Sequence, residues 1–214
     1  MQFFYKYRLF FLLIFLLNCI TVYFLLTIQK GDEINWFLAH RTIFLNYFFS
    51  YASAFVETKF LILFLVVYLA INRKLFFYTG INLLFILLVV QFLKHQVFAD
   101  SLRPSALMAA IQGVEGAPLL KQFSFPSGHT ATAFSLFIMP IFFYTKKYST
   151  LLLVALAVAV GISRMYLSQH FLEDVLAGAN IGCIITILVY ICLLNWKQFD
   201  FFIDKIDAKI SKYN

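Results

Sequence analysis

Phe125-Pro126-Ser127-Gly128-His129-Thr130-Ala131-Thr132-Ala133-Phe134-Ser135-Leu136-Phe137-Ile138-Met139-Pro140-Ile141-Phe142-Phe143-Tyr144 decides how this chain is read. Proline and serine, residues that punctuate and cap a helix, stand directly before a run that stays apolar to Tyr144. The stretch reads as a helix that begins at a polar edge and then enters hydrocarbon, with His129 one step inside that edge. Five further apolar runs flank it, at about 9–28, 51–71, 75–92, 151–166 and 175–196. Crossing a bilayer takes about 20 helical residues, and a helix satisfies its own backbone hydrogen bonds there. The expected fold is all-α, an integral membrane six-helix bundle. A long loop joins spans three and four, and a short interfacial helix follows span one.

Composition points the same way. The chain has 214 residues, 63% hydrophobic and 13% charged, with mean hydropathy +0.87. Soluble domains run at roughly half apolar and a quarter charged, so a soluble fold is excluded. Nothing of soluble-domain size remains beside the apolar runs, and residues 1–214 read as a single membrane domain with its motifs between 94 and 174. The net charge of +7 would raise nucleic acid for a soluble chain. Here basic residues at span ends follow from insertion alone, and no nucleic-acid partner is expected. Cys19, Cys183 and Cys192 lie inside apolar runs without metal-ligand spacing and read as small hydrophobes.

Lys6 and Arg8 precede the first run, which is long enough to span. No small-residue cleavage pattern follows at Thr27-Ile28-Gln29-Lys30, so an uncleaved first span is expected. The mixed segment 34–49, interrupted by His40, Arg41 and Asn46, reads as an interfacial helix. So does the tail around Phe199-Asp200-Phe201-Phe202-Ile203-Asp204-Lys205-Ile206, on the cytoplasmic surface. Of the Lys and Arg residues, ten fall on the side of the termini (Lys212 in the tail among them) and seven on the other. Positive-inside then places both termini in the cytoplasm and the opposite ends of the spans outside. The loop 99–125, with Asp100, Arg103, Pro104, Glu115 and Lys121 and the breakers Gly113, Gly116 and Pro118, is long enough to suggest a lid or binding loop.

Topology gathers the chemistry. In an alternating bundle Lys94 ends span three, His129 begins span four, Ser163-Arg164 end span five and His170-Asp174 lead into span six, all on one membrane face. Ser127, Gly128 and His129 open a helix whose first amides suit an anion, although ordinary capping by Ser127 explains the same residues. His170 and Asp174, four apart, share a helical face. The carboxylate would fix one ring nitrogen and leave the other as base or nucleophile, against the plainer reading of a structural pair. Glu173 points to another helical face and reads as solvated. Arg103 and Arg164 offer planar forks for phosphate oxygens, and Lys94 a compact charge. Snorkelling explains any one of these cations, but all of them beside two histidines at membrane depth suggest a site for a phosphate carried on a lipid. His95, beside Lys94, and His40 read as structural.

Pro126-Ser127-Gly128-His129 and Ser163-Arg164-x-x-x-x-x-His170-x-x-x-Asp174, preceded by Lys94 and Arg103-Pro104, resemble the three-part signature of the type 2 phosphatidic acid phosphatase superfamily. The second and third parts match residue for residue, and the Lys94-to-Arg103 spacing is longer than usual. The resemblance covers spans three to six. It implies that His170 attacks phosphorus and forms a phosphohistidine, with Asp174 orienting it and His129 acting as general acid. Lys94, Arg103, Ser127, Gly128 and Arg164 would hold the phosphate oxygens. No metal and no cofactor is implied. The expected partners are the bilayer and an envelope lipid: undecaprenyl pyrophosphate, phosphatidylglycerol phosphate, a lipid A phosphate or phosphatidic acid. The expected location is a bacterial inner membrane with the site facing the periplasm. A phosphotransferase with the same intermediate is the alternative. A non-enzymatic anion-binding membrane protein is disfavoured by the lack of internal repeats and midplane charge. Oligomeric state is not legible in the sequence.

Overall fold

Backbone amides have no water to turn to in hydrocarbon, and the computed structural model of the chain is helical through its apolar runs. The structure describes residues 2–108, 111, 113–114 and 117–210. Glu115, Gly116 and Lys212 fall outside the described residues. In chain order the helices are α1 (Gln2–Lys6), α2 (Arg8–Thr27), α3 (Asp32–Ala39), α4 (Ile43–Ala54), α5 (Thr58–Ile71), α6 (Arg73–Phe92), α7 (Pro104–Leu107), α8 (Gly128–Phe143), α9 (Lys147–Tyr166), α10 (Leu172–Leu194) and α11 (Lys197–Ile210). A π turn, Leu93–Val97, prolongs α6. Among the described residues, four helices are long and apolar enough to cross a bilayer: α2, α6 with its π turn, α9 and α10. Helices α4 and α5 pass the same test as a pair bent by 59°. α8 is apolar but has only 16 residues.

α4 starts earlier than hydropathy suggests, inside the mixed segment 34–49, where the Thr42 side chain accepts from the Leu45 amide at 3.2 Å. That segment is not one interfacial helix but the pieces α3 and α4, and its polar residues grip the end of α9. Arg41 Nη2 donates to the Tyr166 carbonyl (2.9 Å) and to Ser168 Oγ (3.1 Å). The Tyr166 hydroxyl donates to Asn46 Oδ1 at 2.6 Å. His40 stacks on Trp36 with ring centroids 4.4 Å apart, as a structural residue would. The tail forms α11, with Ile203 buried and Phe201 and Phe202 exposed, the two-faced pattern of a surface helix.

α8 is the axis of the bundle. Phe134, Leu136, Phe137, Ile138, Met139 and Ile141 on it are buried, enclosed by α6, α9 and α10. A helix wrapped on all sides has to satisfy its stray polar groups from its neighbours. Pro140 cannot donate to the Leu136 carbonyl, and the Tyr68 hydroxyl of α5 does so instead at 3.1 Å. The Phe142 carbonyl, in the last turn, accepts from Tyr7 (2.8 Å) and Tyr190 (3.3 Å). Asn82 of α6 donates to Ser135 Oγ (2.7 Å) and Thr186 Oγ1 (2.9 Å), tying three helices at their centres.

α10 packs directly on α8. Gly178 and Gly182, four apart, let the backbones touch, as small residues at this spacing do between membrane helices. A β-carbon on Gly178 would lie 2.5 Å from the Ser127 carbonyl oxygen, and one on Gly182 would lie 2.7 Å from that of Ala131. The neighbour in each case is backbone and cannot swing aside. Gly178→Ala is therefore expected to lower the thermal midpoint in detergent, with a cost of about 1–3 kcal/mol from overpacking. An unchanged midpoint would show that the two helices are not held at this distance.

Candidate active site

The α8–α10 contact sets two loops side by side. The Ser127 amide donates to the Asp174 carbonyl at 3.0 Å, so the first turn of α8 and the first turn of α10 share a hydrogen bond. His170 lies just before α10, not on it as the four-residue spacing suggested. The pair still forms, because Asp174, in the first turn, reaches back: its Oδ2 accepts from the Phe171 amide at 2.9 Å and lies 3.4 Å from His170 Nδ1. A third donor fixes the carboxylate, the Ser124 hydroxyl at 2.5 Å. Ser124, His170 and Asp174 are all buried.

On the other side of the ring, His170 Nε2 lies 3.4 Å from Arg103 Nη1. With Nδ1 turned to Asp174, this is the arrangement of a neutral imidazole whose free lone pair is on Nε2. Burial pushes the His170 ring well below the usual 6.5, and Arg103, Arg164 and Lys94 push it the same way. Arg103 is itself shifted down by burial, with Asp174 opposing. Its guanidinium is fixed by carbonyls: Nε donates to Gln122 (2.8 Å), Nη1 to Gln169 (3.0 Å). Lys94 Nζ donates to the Phe123 carbonyl at 2.5 Å.

Phe123 and Ser168 both have left-handed backbones, φ 56° and 55°, unusual for residues with side chains and costing about 1–2 kcal/mol each. Residues held so against preference cluster where geometry serves a site. The turn at Phe123 aims its carbonyl at Lys94. The turn at Ser168 precedes Gln169 and His170, and Arg41 holds it.

A cavity of about 790 Å³ opens over these groups, walled by Lys94, Arg103, Gly128, His129 and His170 together with Lys121 and other residues of the 99–125 loop. Arg164 does not line it. It faces an adjoining cavity of about 400 Å³ that shares His129 and Leu120 as walls and also holds Ser53 and Glu57. The Arg164 Nη1 is hydrogen-bonded to Ser53 Oγ, while its buried Nε has no hydrogen-bond partner among the described residues. A buried, unpartnered guanidinium nitrogen beside His129 suits an oxyanion. Ser127 is fully buried, and its hydroxyl caps α8, accepting from the Thr130 amide at 3.4 Å and bonding Thr130 Oγ1 at 2.8 Å. Capping accounts for its side chain, and the cavity wall at this edge is formed by Gly128 and His129. Glu173 pairs with Lys30 at 2.5 Å, and His95 packs on the Phe123 ring, centroids 4.5 Å apart.

Ser124, Gln169 and the Phe123 carbonyl were not picked out by sequence reading. Nothing in their spacing signals them, since loops of irregular backbone bring them in. The Gly178-x-x-x-Gly182 spacing, by contrast, was there to be read.

Among known proteins, the profile of the PAP2 superfamily matches residues 74–198. The chain is 38% identical over 84 residues to phosphatidylglycerophosphatase B of Bacillus subtilis strain 168, covering 34% of this chain and 41% of that protein. The match thus spans less than half of that relative's length. The fold resembles the crystal structure of Aquifex aeolicus LpxE, with TM-score 0.68 at 24% identity over 75% of this chain and 94% of that one. It also resembles the first transmembrane PAP2 type phosphatidylglycerolphosphate phosphatase from Bacillus subtilis, with TM-score 0.57 at 25% identity over 91% and 99%.

Two outcomes follow from the geometry around His170. Ser124→Ala removes a hydrogen bond to a charged carboxylate, worth about 1.5–3 kcal/mol, and should slow turnover about tenfold or more while the protein stays folded. Equal rates would mean that Asp174 needs no such support. If His170 must be neutral to react, activity is lost as pH falls through its lowered pKa, so the acid limb of kcat/KM lies below pH 6.5. Arg103→Gln takes away one cause of that lowering, and the limb should move up in pH. A limb that moves down, or stays, would contradict the charge assignment.

Proposed function

The chain belongs to the PAP2 superfamily, and from that membership and the geometry of its site we propose that it is a membrane phosphatase. Its substrate is a phosphomonoester or pyrophosphate on an envelope lipid: undecaprenyl pyrophosphate, phosphatidylglycerol phosphate, a lipid A phosphate or phosphatidic acid. The observation that carries the reading is His170, braced by Asp174 behind and lining with Nε2 toward Arg103 the cavity that His129 and Lys94 also wall. A neutral imidazole fixed at one nitrogen, with cations around the other, is what in-line attack on a phosphate requires.

In this reading Nε2 of His170 forms a bond to phosphorus as the bond from phosphorus to the lipid oxygen breaks. His129 gives a proton to that oxygen. Lys94, Arg103, Arg164 and the amides at Gly128 and His129 hold the equatorial oxygens as charge shifts. Water then attacks phosphorus, the nitrogen–phosphorus bond breaks, and inorganic phosphate leaves. Side chains supply the charge neutralisation, so the reaction needs no metal.

A lipid substrate is supported by a third cavity of about 510 Å³. It begins at Lys94, Gly128 and His129 and continues between α5 and α6 along Leu61, Leu83 and Leu87, an apolar path suited to an acyl or prenyl chain. The six apolar runs are read as six spans, with α4–α5 forming the second and α8 the fourth. Both termini are then cytoplasmic and the site faces the periplasm across a bacterial inner membrane. The loop 99–125 contributes Leu102, Ala106, Leu120 and Lys121 to the cavity wall, and head-group selection is assigned to it.

Phosphate release from a panel of these lipids, measured with chelator present, tests the proposal. The wild-type protein should release phosphate from at least one lipid, His170→Ala should release none, and Lys121→Ala should alter the ratios among lipids. Activity in the His170 variant, or activity abolished by chelation, would overturn the mechanism. Silence on every lipid by a folded sample would overturn the function.

A further inference from the structure

A second basic cavity lies at the far end of the bundle. It has a volume of about 360 Å³, and Lys6, Arg8 and Lys147 line it with Tyr7, Thr145 and Thr150. α9 runs from Lys147 at this cavity to Arg164 at the other site. At 1.5 Å per residue the two are about 25 Å apart, on opposite faces of the membrane-crossing part.

Basic residues at span ends are ordinary, and insertion alone accounts for their presence. It does not account for their arrangement. Arg73, Lys74 and Lys146 would serve insertion equally and do not line the cavity. One wall is fixed, while Lys6, Arg8 and Lys147 are exposed. Tyr7 is buried, and its hydroxyl is held by the Phe142 carbonyl at 2.8 Å and sits 3.3 Å from that of Tyr190. The turn between α1 and α2 that carries Lys6 and Arg8 is thereby pinned to the end of α8. Among the described residues no carboxylate forms an ion pair with Lys6, Arg8 or Lys147. Lys6 and Arg8 rest instead against the rings of Tyr7 and Tyr5, 5.0 and 5.2 Å from the centroids. The volume falls at the low end of small-molecule sites, about 300–1,000 Å³, the size of a head group. Phe10 and Ile141 supply an apolar floor at membrane depth.

We propose that this cavity binds the phosphate of an anionic lipid head group, taken from the leaflet opposite the one that serves the His170 cavity. Lys6, Arg8 and Lys147 contact the phosphate oxygens, and the acyl chains lie outside against α2, whose surface is apolar and exposed. Basic pockets between membrane helices are suited to such head groups. The site is separate from the phosphatase chemistry and does not depend on it.

Native mass spectrometry of the full-length protein in detergent, with added phosphatidylglycerol or phosphatidylcholine, tests this directly. Wild-type protein should retain phosphatidylglycerol in preference to phosphatidylcholine. Lys147→Gln and Arg8→Gln should each cut retention about fivefold, and Lys147→Arg should keep it. Lys146→Gln removes the same charge from the same turn but outside the cavity, and should leave retention unchanged. Thermal midpoints of the variants identify any that fail to fold, and either of the two cavity variants suffices for the comparison. No preference between the lipids, or equal loss in Lys146→Gln, would overturn the proposal in favour of diffuse surface charge. Displacement of the lipid by an equal concentration of inorganic phosphate would overturn it in favour of a plain anion site.

Discussion

The close approach of α8 and α10 governs the rest of the molecule. With hydrogen in place of a β-carbon at Gly178 and Gly182, the two backbones meet near Ser127 and Ala131. The hydrogen bond from the Ser127 amide to the Asp174 carbonyl then locks the mouths of both helices in register. Helix association in a bilayer has little hydrophobic drive, so tight packing of this kind has to provide it. Had either glycine been larger, the loop bearing Ser124 and the loop bearing His170 would stand further apart, and the Ser124–Asp174 bond would be out of reach.

Around that contact the site is assembled from opposed tendencies. Arg103, Lys94 and Arg164 are cations drawn away from water, and each is held by neutral oxygens: carbonyls for Arg103 and Lys94, the Ser53 hydroxyl for Arg164. Carbonyl dipoles hold the cations in position without cancelling their charge, so the field they make remains directed at the cavity. Burial disfavours protonation of His170, and the same field adds to it. One set of charges can thus both attract an anion and leave a nitrogen lone pair free to meet it.

Much of this was legible in the sequence, and for a physical reason. A histidine or arginine at the edge of an apolar run is costly, so its position there carries information, and alternation of the spans places Lys94, His129, Arg164 and His170 on one face. The helical class follows from hydropathy alone. Less was legible where the backbone stops being regular. His170 was expected on a helix with Asp174, whereas the pair forms because a first-turn carboxylate reaches back over the helix start. Ser124 and Gln169 sit in loops with no period to mark them. The segment 34–49 reads as a surface helix because it is mixed and interrupted by His40, Arg41 and Asn46; Arg41 and Asn46 find partners at Tyr166 and Ser168, more than a hundred residues away.

The enclosure of α8 has one more consequence. Outer helices such as α2 face lipid along much of their length, and a bilayer that is too thick or too thin is accommodated by tilting or by local stretching of the membrane around them. α8 is short and covered by protein on every side, so hydrophobic mismatch reaches it only second-hand. The height of His129 above the midplane is therefore set by the helices it touches rather than by the membrane it sits in. Such a chain can keep its geometry in bilayers of differing thickness.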